Sequence, residues 1–382
     1  MKIGIDISRT MSGGGKAHIL GVLQEVDPNQ FNIDEIHVFG RELVLEQINN
    51  IGKPWIIKHS QPLLEKSLLH QLFWQYCHMP RQIKKYKCDV LLSTDAGTLK
   101  VHNPSIVMSR DMLSFERTEI GRYPKNGKLW LRLFALRYIQ IRSIKKATGV
   151  LFLTKYAADT IQLWSGKIEN YRIIPHGVGE HFKHKKKISN WPENNERSIK
   201  CIYVSNTALY KHQWNVAEAI AQLRTEDVDV KITFIGGGSG LSQTLLTKTL
   251  KKIDPFSEFT FQDKFLPNKE LPDKILEADV FIFASSCENM PNTLLEGMAL
   301  GMPIMCSDRG PMPEVLQDGG IYFNPENVQQ IVNALNVIIK NKEKRAYISA
   351  RAREISQQYS WNRCSNETFQ YLADIVNRKA IK

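Results

Sequence analysis

Two glutamates, Glu288 and Glu296, bracket a stretch suited to holding an anion. Between them Asn289, Met290, Pro291, Asn292 and Thr293 lead from a loop into a helix. The first amides of a helix have no intrahelical acceptor and carry the positive end of its dipole, which favours phosphate. Free backbone amides are therefore expected from Met290 to Thr293. Carboxylates repel phosphate, so Glu288 and Glu296 suit hydroxyls on either side of it, such as those of two sugars. Counted as continuous helix, the interval would set them about 80° apart and about 12 Å along the axis.

The elements that position this stretch are legible. Val280 to Ala284 is a short run rich in β-branched and aromatic residues, which reads as a buried strand. Thr293 to Leu300 reads as a helix closed by Gly301 and Pro303, and Pro303 to Ser307 as the next strand. The chain opens the same way. Lys2–Ile7 is a strand, Ser12 to Gly15 a tight glycine loop, and Ala17 to Val26 a helix. Further strands are expected at Glu35–Phe39, Trp55–Lys58, Val90–Ser93, Ser105–Ser109, Val150–Thr154, Lys200–Ser205 and Lys231–Ile235. Strands alternating with helices predict α/β architecture with parallel, doubly wound sheets and ligands at the carboxyl edges. Asp111 follows one such strand; it either touches an acceptor hydroxyl or caps the next turn.

Glu288, seven intervening residues and Glu296, followed by Gly-Met-Ala-Leu-Gly-Met-Pro303, resemble the E-x7-E motif of retaining glycosyltransferases of family 4. Tyr171 to Val178 and the pattern from Pro313 to Pro325 extend the resemblance over most of the chain. It implies the GT-B architecture, two Rossmann-like domains facing across a cleft with the C-terminal helix crossing back to the first. The domains would be 1–178 with 360–382 on the acceptor side, and 179–359 for the nucleotide sugar. It also implies a metal-independent transfer from a nucleotide-diphosphate sugar, used as co-substrate, to a glycan or lipid-linked acceptor. Glu288 would lie by the donor sugar and Glu296 on the ribose, while the intervening amides and Lys211 hold the diphosphate. Gly13, Gly14 and Gly15 would come close to that diphosphate. Where the family usually has Arg, this chain has Asn206, which can donate a hydrogen bond but cannot neutralise charge.

Composition sets the outer bounds. A chain of 382 residues has room for two domains with full cores. The apolar windows are too short for a membrane-spanning helix, and the N-terminus does not read as a signal peptide. Six scattered cysteines without C-x-x-C pairs fit reduced thiols, and no metal site is expected. Asp227 and Asp229 have D-x-D spacing but precede their strand, so they read as a solvated turn. The net charge is +12, and residues 1–180 hold 25 Lys and Arg against 16 Asp and Glu. Between Glu119 and Asp159 there is no acidic residue.

Lys128 to Lys146 reads as one helix with an apolar stripe of Leu129, Leu133, Leu136 and Ile139. Its bases, Arg137, Arg142 and Lys145 among them, form either a solvated face or a membrane-facing one over the basic region 122–155. The expectation is a cytoplasmic protein able to sit at the inner face of a membrane, with no nucleic-acid partner. The alternative is a binding protein with an inactive site, using that basic face for anionic membrane or nucleic acid. The polar tract from Glu180 to Lys200 fits a linker.

Overall fold

The computed structural model describes residues 1–10, 13–125, 127–188, 191–192 and 196–380, with backbone alone at 379–380. Ser12 of the expected glycine loop, and parts of the 180–200 tract, lie outside these residues. The chain divides into two compact units, Met1–Gly177 with Ser360–Lys382, and Val178–Tyr359.

The first unit is built on seven strands: β1 (Lys2–Asp6), β2 (Glu35–Gly40), β3 (Ile56–Ser60), β4 (Val90–Ser93), β5 (Ser105–Met108), β6 (Gly149–Phe152) and β7 (Tyr171–Ile173). Their order is β3-β2-β1-β4-β5-β6-β7, and each neighbouring pair is parallel. β4, β5 and β6 are buried along their whole length, as befits parallel strands covered on both faces. The order reverses between β1 and β4, which opens a crevice at their carboxyl ends.

The second unit repeats the plan with β8 (Ile199–Asn206), β9 (Val230–Gly237), β10 (Thr260–Lys264), β11 (Val280–Phe283), β12 (Ile304–Ser307) and β13 (Ile321–Phe323). The parallel order is β10-β9-β8-β11-β12-β13, with its reversal between β8 and β11. The final helix, Trp361–Ala380, packs in the first unit on the helix Gly14–Glu25, where Ser365 Oγ donates to the Val22 carbonyl at 2.8 Å.

Three local expectations need correction. The helix after β1 starts at Gly14, so Gly14 and Gly15 lie in its first turn and only Gly13, at φ 64°, holds the left-handed turn. Helix Lys128–Lys146 has the expected ends, but its buried stripe is Leu133, Arg137, Gln140 and Ile144. Leu129 is 40% exposed, while the Arg137 guanidinium stacks between Trp164, 3.8 Å from the ring centroid, and Phe134, at 4.5 Å. A charge whose plane is covered by aromatic rings packs like an apolar group, which a hydrophobicity pattern does not register.

The tract after Glu180 is also no loose linker. It carries a short helix, Glu180–Lys183, and Lys187 donates its amide to the Leu300 carbonyl at 2.8 Å and its ammonium to the Leu276 and Ala278 carbonyls. Arg353 holds the carbonyls of Lys183 and Lys185. Residues 183–187 of the tract are thereby pinned to the second unit.

Candidate active site

The candidate site residues of the second unit lie at the β8/β11 reversal. β8 ends at Asn206, and a short turn, Leu209–Lys211, brings Lys211 back towards the strand end. The buried Tyr203 hydroxyl donates to the Lys211 carbonyl at 2.7 Å and fixes that turn. β11 leads into the segment 284–291, whose residues Ser285, Ser286, Cys287, Asn289 and Met290 are buried. Ser286 anchors the two loops together. Its amide donates to the Tyr210 carbonyl at 2.8 Å, and its hydroxyl meets His212 Nε2 at 2.8 Å.

Across this junction Lys211 Nζ donates to Glu288 Oε1 in a pair with side-chain exposures of 9% and 16%. The aromatic faces of Tyr210 and Phe283 lie 5.4 and 5.6 Å from the same ammonium. The lysine is thus held by one carboxylate and two rings at the mouth of the crevice.

The helix after Glu288 is Asn292–Ala299, with Pro291 as its N-cap. Its amides differ from expectation. Pro291 has no N–H, and the Asn292 amide turns back to the Met290 carbonyl at 3.1 Å. Thr293 and Leu294 supply the first-turn amides that have no acceptor within the helix. Because only Asn292 onward is helical, Glu288 stands on a non-helical lead-in, and helical rotation does not relate it to Glu296.

Glu296 sits one turn inside that helix. Its Oε2 is buried and makes no hydrogen bond among the described residues. Burial pushes this carboxyl up to about 8, since removal from water disfavours the charged form. A buried carboxyl without a donor is poised to receive hydroxyls.

Residues 184–355 match the family model described as "Glycosyl transferases group 1". The match makes this stretch similar to that family. It spans nearly the whole of the unit that carries Lys211, Glu288 and Glu296. Among curated proteins, the O-antigen chain mannosyltransferase B of Escherichia coli is 29% identical over 104 residues, 27% of either chain. The chain spans less than half the length of the curated relatives it matches. Among solved structures, sucrose-phosphate synthase from Thermosynechococcus elongatus superposes with a TM-score of 0.75 at 14% identity, covering 100% of this chain and 99% of that one. Anabaena Alr3699/HepE in complex with UDP and glucose gives 0.73 at 16% identity, covering 98% and 99%. The two doubly wound units are those of the GT-B fold.

The remaining sequence candidates fall around this second unit and in the first unit. Asn206 ends β8 exposed, its carbonyl accepting from Gln213 Nε2 at 3.0 Å. In the first unit Asp111 is tied into its own turn, with Oδ1 accepting from the Leu113 amide at 3.3 Å and Oδ2 from Gln140 Nε2 at 3.4 Å. Burial raises its carboxyl above the usual range. The neighbour of Asp111 went unremarked in the sequence. Arg110 fills the space beside Gly15, where an added Cβ would stand 1.5 Å from its Nη1. No motif announces that contact; only a glycine run and an arginine after a strand hint at it. Asp229 at the D-x-D spacing pairs with Arg224 at 2.8 Å, and no group of His, Cys, Asp and Glu able to hold a metal occurs among the described residues.

Proposed function

We propose that the chain is a glycosyltransferase that moves a sugar from a nucleoside-diphosphate sugar to a glycan or lipid-linked glycan, keeping the anomeric configuration. The observation that carries this reading is the Lys211–Glu288 pair standing before the start of helix Asn292–Ala299 at the strand-order reversal. A diphosphate on the Thr293 and Leu294 amides would draw Lys211 from Glu288 and leave that carboxylate to meet sugar hydroxyls. Glu296 would accept the ribose hydroxyls.

As the bond from the anomeric carbon to the diphosphate breaks, charge builds on the leaving oxygens, and Lys211 with the helix start stabilises it. The acceptor oxygen then bonds to that carbon on the same face, and its proton passes to the departing phosphate. Lysine and amides supply the positive potential, so the step asks for no metal ion. UDP and glucose in the HepE structure support a nucleotide sugar as donor.

The acceptor reading extends to a membrane surface. On helix Lys128–Lys146 Leu131 and Tyr138 are 54% and 72% exposed, beside Lys128, Arg132, Lys145 and Lys146. Leu69 and Phe73 are also exposed, and Lys100 lies 5.2 Å over the Tyr76 ring. Apolar groups rimmed by bases suit an anionic lipid surface.

Donor screening tests the central reading. UDP-, GDP-, ADP- and dTDP-sugars are offered to the purified protein, and release of free nucleotide is followed by mass spectrometry. One donor should be consumed by the wild type and spared by Lys211→Ala and Glu296→Ala. If none is bound or consumed, the reading fails and a binding protein without turnover takes its place.

A further inference from the structure

Lys211 and Glu288 stand on different loops, so their meeting depends on what joins those loops. The backbone reverses at the residue after Lys211. His212 has φ 51° and ψ 28°, the left-handed region, and is 1% exposed. There the turn Leu209–Lys211 ends and the helix Gln213–Thr225 begins, with the His212 carbonyl accepting from the Asn215 amide at 3.1 Å. Glycine takes left-handed backbone freely, whereas a residue with a Cβ meets a steric penalty. The imidazole makes no cap for the helix it precedes. A side chain kept at such a position is compensated by its other contacts.

Those contacts reach the second loop. His212 Nε2 lies 2.8 Å from Ser286 Oγ, and Ser286 stands two residues before Glu288. Ser286 Oγ also donates to the Tyr210 carbonyl at 3.3 Å, so it accepts from Nε2–H of the imidazole. The Ser286 amide donates to the same Tyr210 carbonyl at 2.8 Å. Ser286 therefore grips the residues on both sides of Lys211, Tyr210 by its backbone and His212 by its ring. His212 and Ser286 are both buried, so water does not compete for the contact. The lysine backbone is clamped, and its ammonium is left to Glu288.

We propose that His212 is the positioning residue of Lys211. Through Ser286 it keeps the lysine turn in register with the Glu288 segment, so that the ammonium passes between Glu288 and a ligand phosphate without its backbone moving. The phosphate in this account rests on the glycosyltransferase reading; the hold on Lys211 beside Glu288 does not.

The full ligand-free chain is acetylated with acetic anhydride, and each lysine is followed by peptide mass spectrometry. Lys211, with a side chain 9% exposed, should label slowly. His212→Ala and Ser286→Ala should each speed its labelling severalfold, relative to exposed Lys248 and enclosed Lys187 in the same sample. His212→Gln places an amide N–H near the Nε2 position and should keep the wild-type rate. His212→Gly frees the backbone but drops the tie, and should label as His212→Ala does. If His212→Ala does not fold, His212→Gly and Ser286→Ala carry the same comparison.

A second arm measures UDP affinity by calorimetry. His212→Ala should weaken it by about three- to tenfold, the range of one hydrogen bond, and should weaken it no further once Lys211→Ala is present. The proposal is overturned if His212→Gly and Ser286→Ala label Lys211 at the wild-type rate, or if Lys187 speeds as much as Lys211, which would mean general loosening. It is overturned equally if the His212 and Lys211 losses in UDP affinity multiply. If the wild type binds no UDP, the donor reading fails, and the labelling still decides the role of His212.

Discussion

Lys211 and Glu288, 77 residues apart in sequence, are joined directly at the carboxyl edge of the second sheet. Glu288 holds the lysine in the ligand-free chain, so under the proposed function a diphosphate would compete with Glu288 for it. Glu288→Gln should remove that competitor and the like charge beside the phosphate. UDP binding is expected to stay level or tighten severalfold, while sugar transfer falls by about 10²-fold or more. Lys211→Ala should weaken UDP binding and lower transfer together. Calorimetry with UDP on both variants decides it: equal losses of affinity would mean that the pair acts as a structural unit.

Glu296 makes a pH-dependent prediction whose sign follows from its burial. The folded-state value of about 8 lies above the ordinary 4.5, so the neutral carboxyl is the form the fold favours. Its contribution is full below pH 4.5 and is lost as pH rises through 8. Glu296→Gln keeps the shape without the charge, and should stabilise the ligand-free chain at pH 9 by about 2–4 kcal/mol while changing little at pH 4. Thermal melts at the two pH values measure this; an equal effect at both would show that the carboxyl is not held neutral.

Under the proposed function, the same carboxyl should couple nucleotide binding to proton release. Ribose hydroxyls donate best to the ionised form, so nucleotide binding should pull its pKa down. At pH 7 UDP binding is expected to release up to about one proton, seen as a binding enthalpy that varies with the ionisation enthalpy of the buffer. Glu296→Gln should abolish that variation.

Much of this was legible because buried parallel strands leave a plain trace. Runs such as Val90–Ser93 and Val280–Phe283 are continuous, β-branched and bounded by turn residues, and the helix Lys128–Lys146 announces both its ends. Glu288 and Glu296 stand out by their spacing together with the strand before them and the Gly-x-Pro after, and their roles come from the family resemblance. What stayed hidden depends on contacts distant in sequence or on packing of charge. The Arg137 stack shifts the buried face of its helix by less than a quarter turn from the expected one, and Lys187 and Arg353 turn a polar tract into part of the second unit. Arg110 shows the same limit, since its place is set by the absence of a side chain at Gly15.

The glycines after β1 separate two costs that look alike in sequence. Gly13→Ala meets no neighbouring atom but must hold φ at 64°, a loss of about 1–2 kcal/mol. Gly15→Ala has no such backbone strain and instead drives its methyl into Arg110. It should cost more, about 2–4 kcal/mol, by displacing an enclosed cation. Pairing Gly15→Ala with Arg110→Ala should recover part of that loss, whereas pairing Gly13→Ala with Arg110→Ala should recover none. Denaturant melts of the four variants compare the two couplings.

The helix Lys128–Lys146 separates fold from surface. Arg137 is stacked between Trp164 and Phe134, and Arg142 Nη1 donates to the Leu99 carbonyl at 3.0 Å, so neither is a spare surface charge. Arg137→Ala should destabilise the chain by about 1–2 kcal/mol through loss of the stack. Arg132→Glu with Lys145→Glu and Lys146→Glu changes exposed positions and should leave the melting temperature within a few degrees. That triple variant should nonetheless lose most binding to vesicles containing phosphatidylserine, a loss matched in the wild type by raising salt from 0.1 to about 1 M. Removing the apolar contacts with Leu131→Ser and Tyr138→Ser should weaken vesicle binding in a way that salt does not mimic, because that part of the attraction is burial rather than charge. If the triple variant binds such vesicles as tightly as wild type, the basic face is only solvated, and the acceptor must be sought in solution.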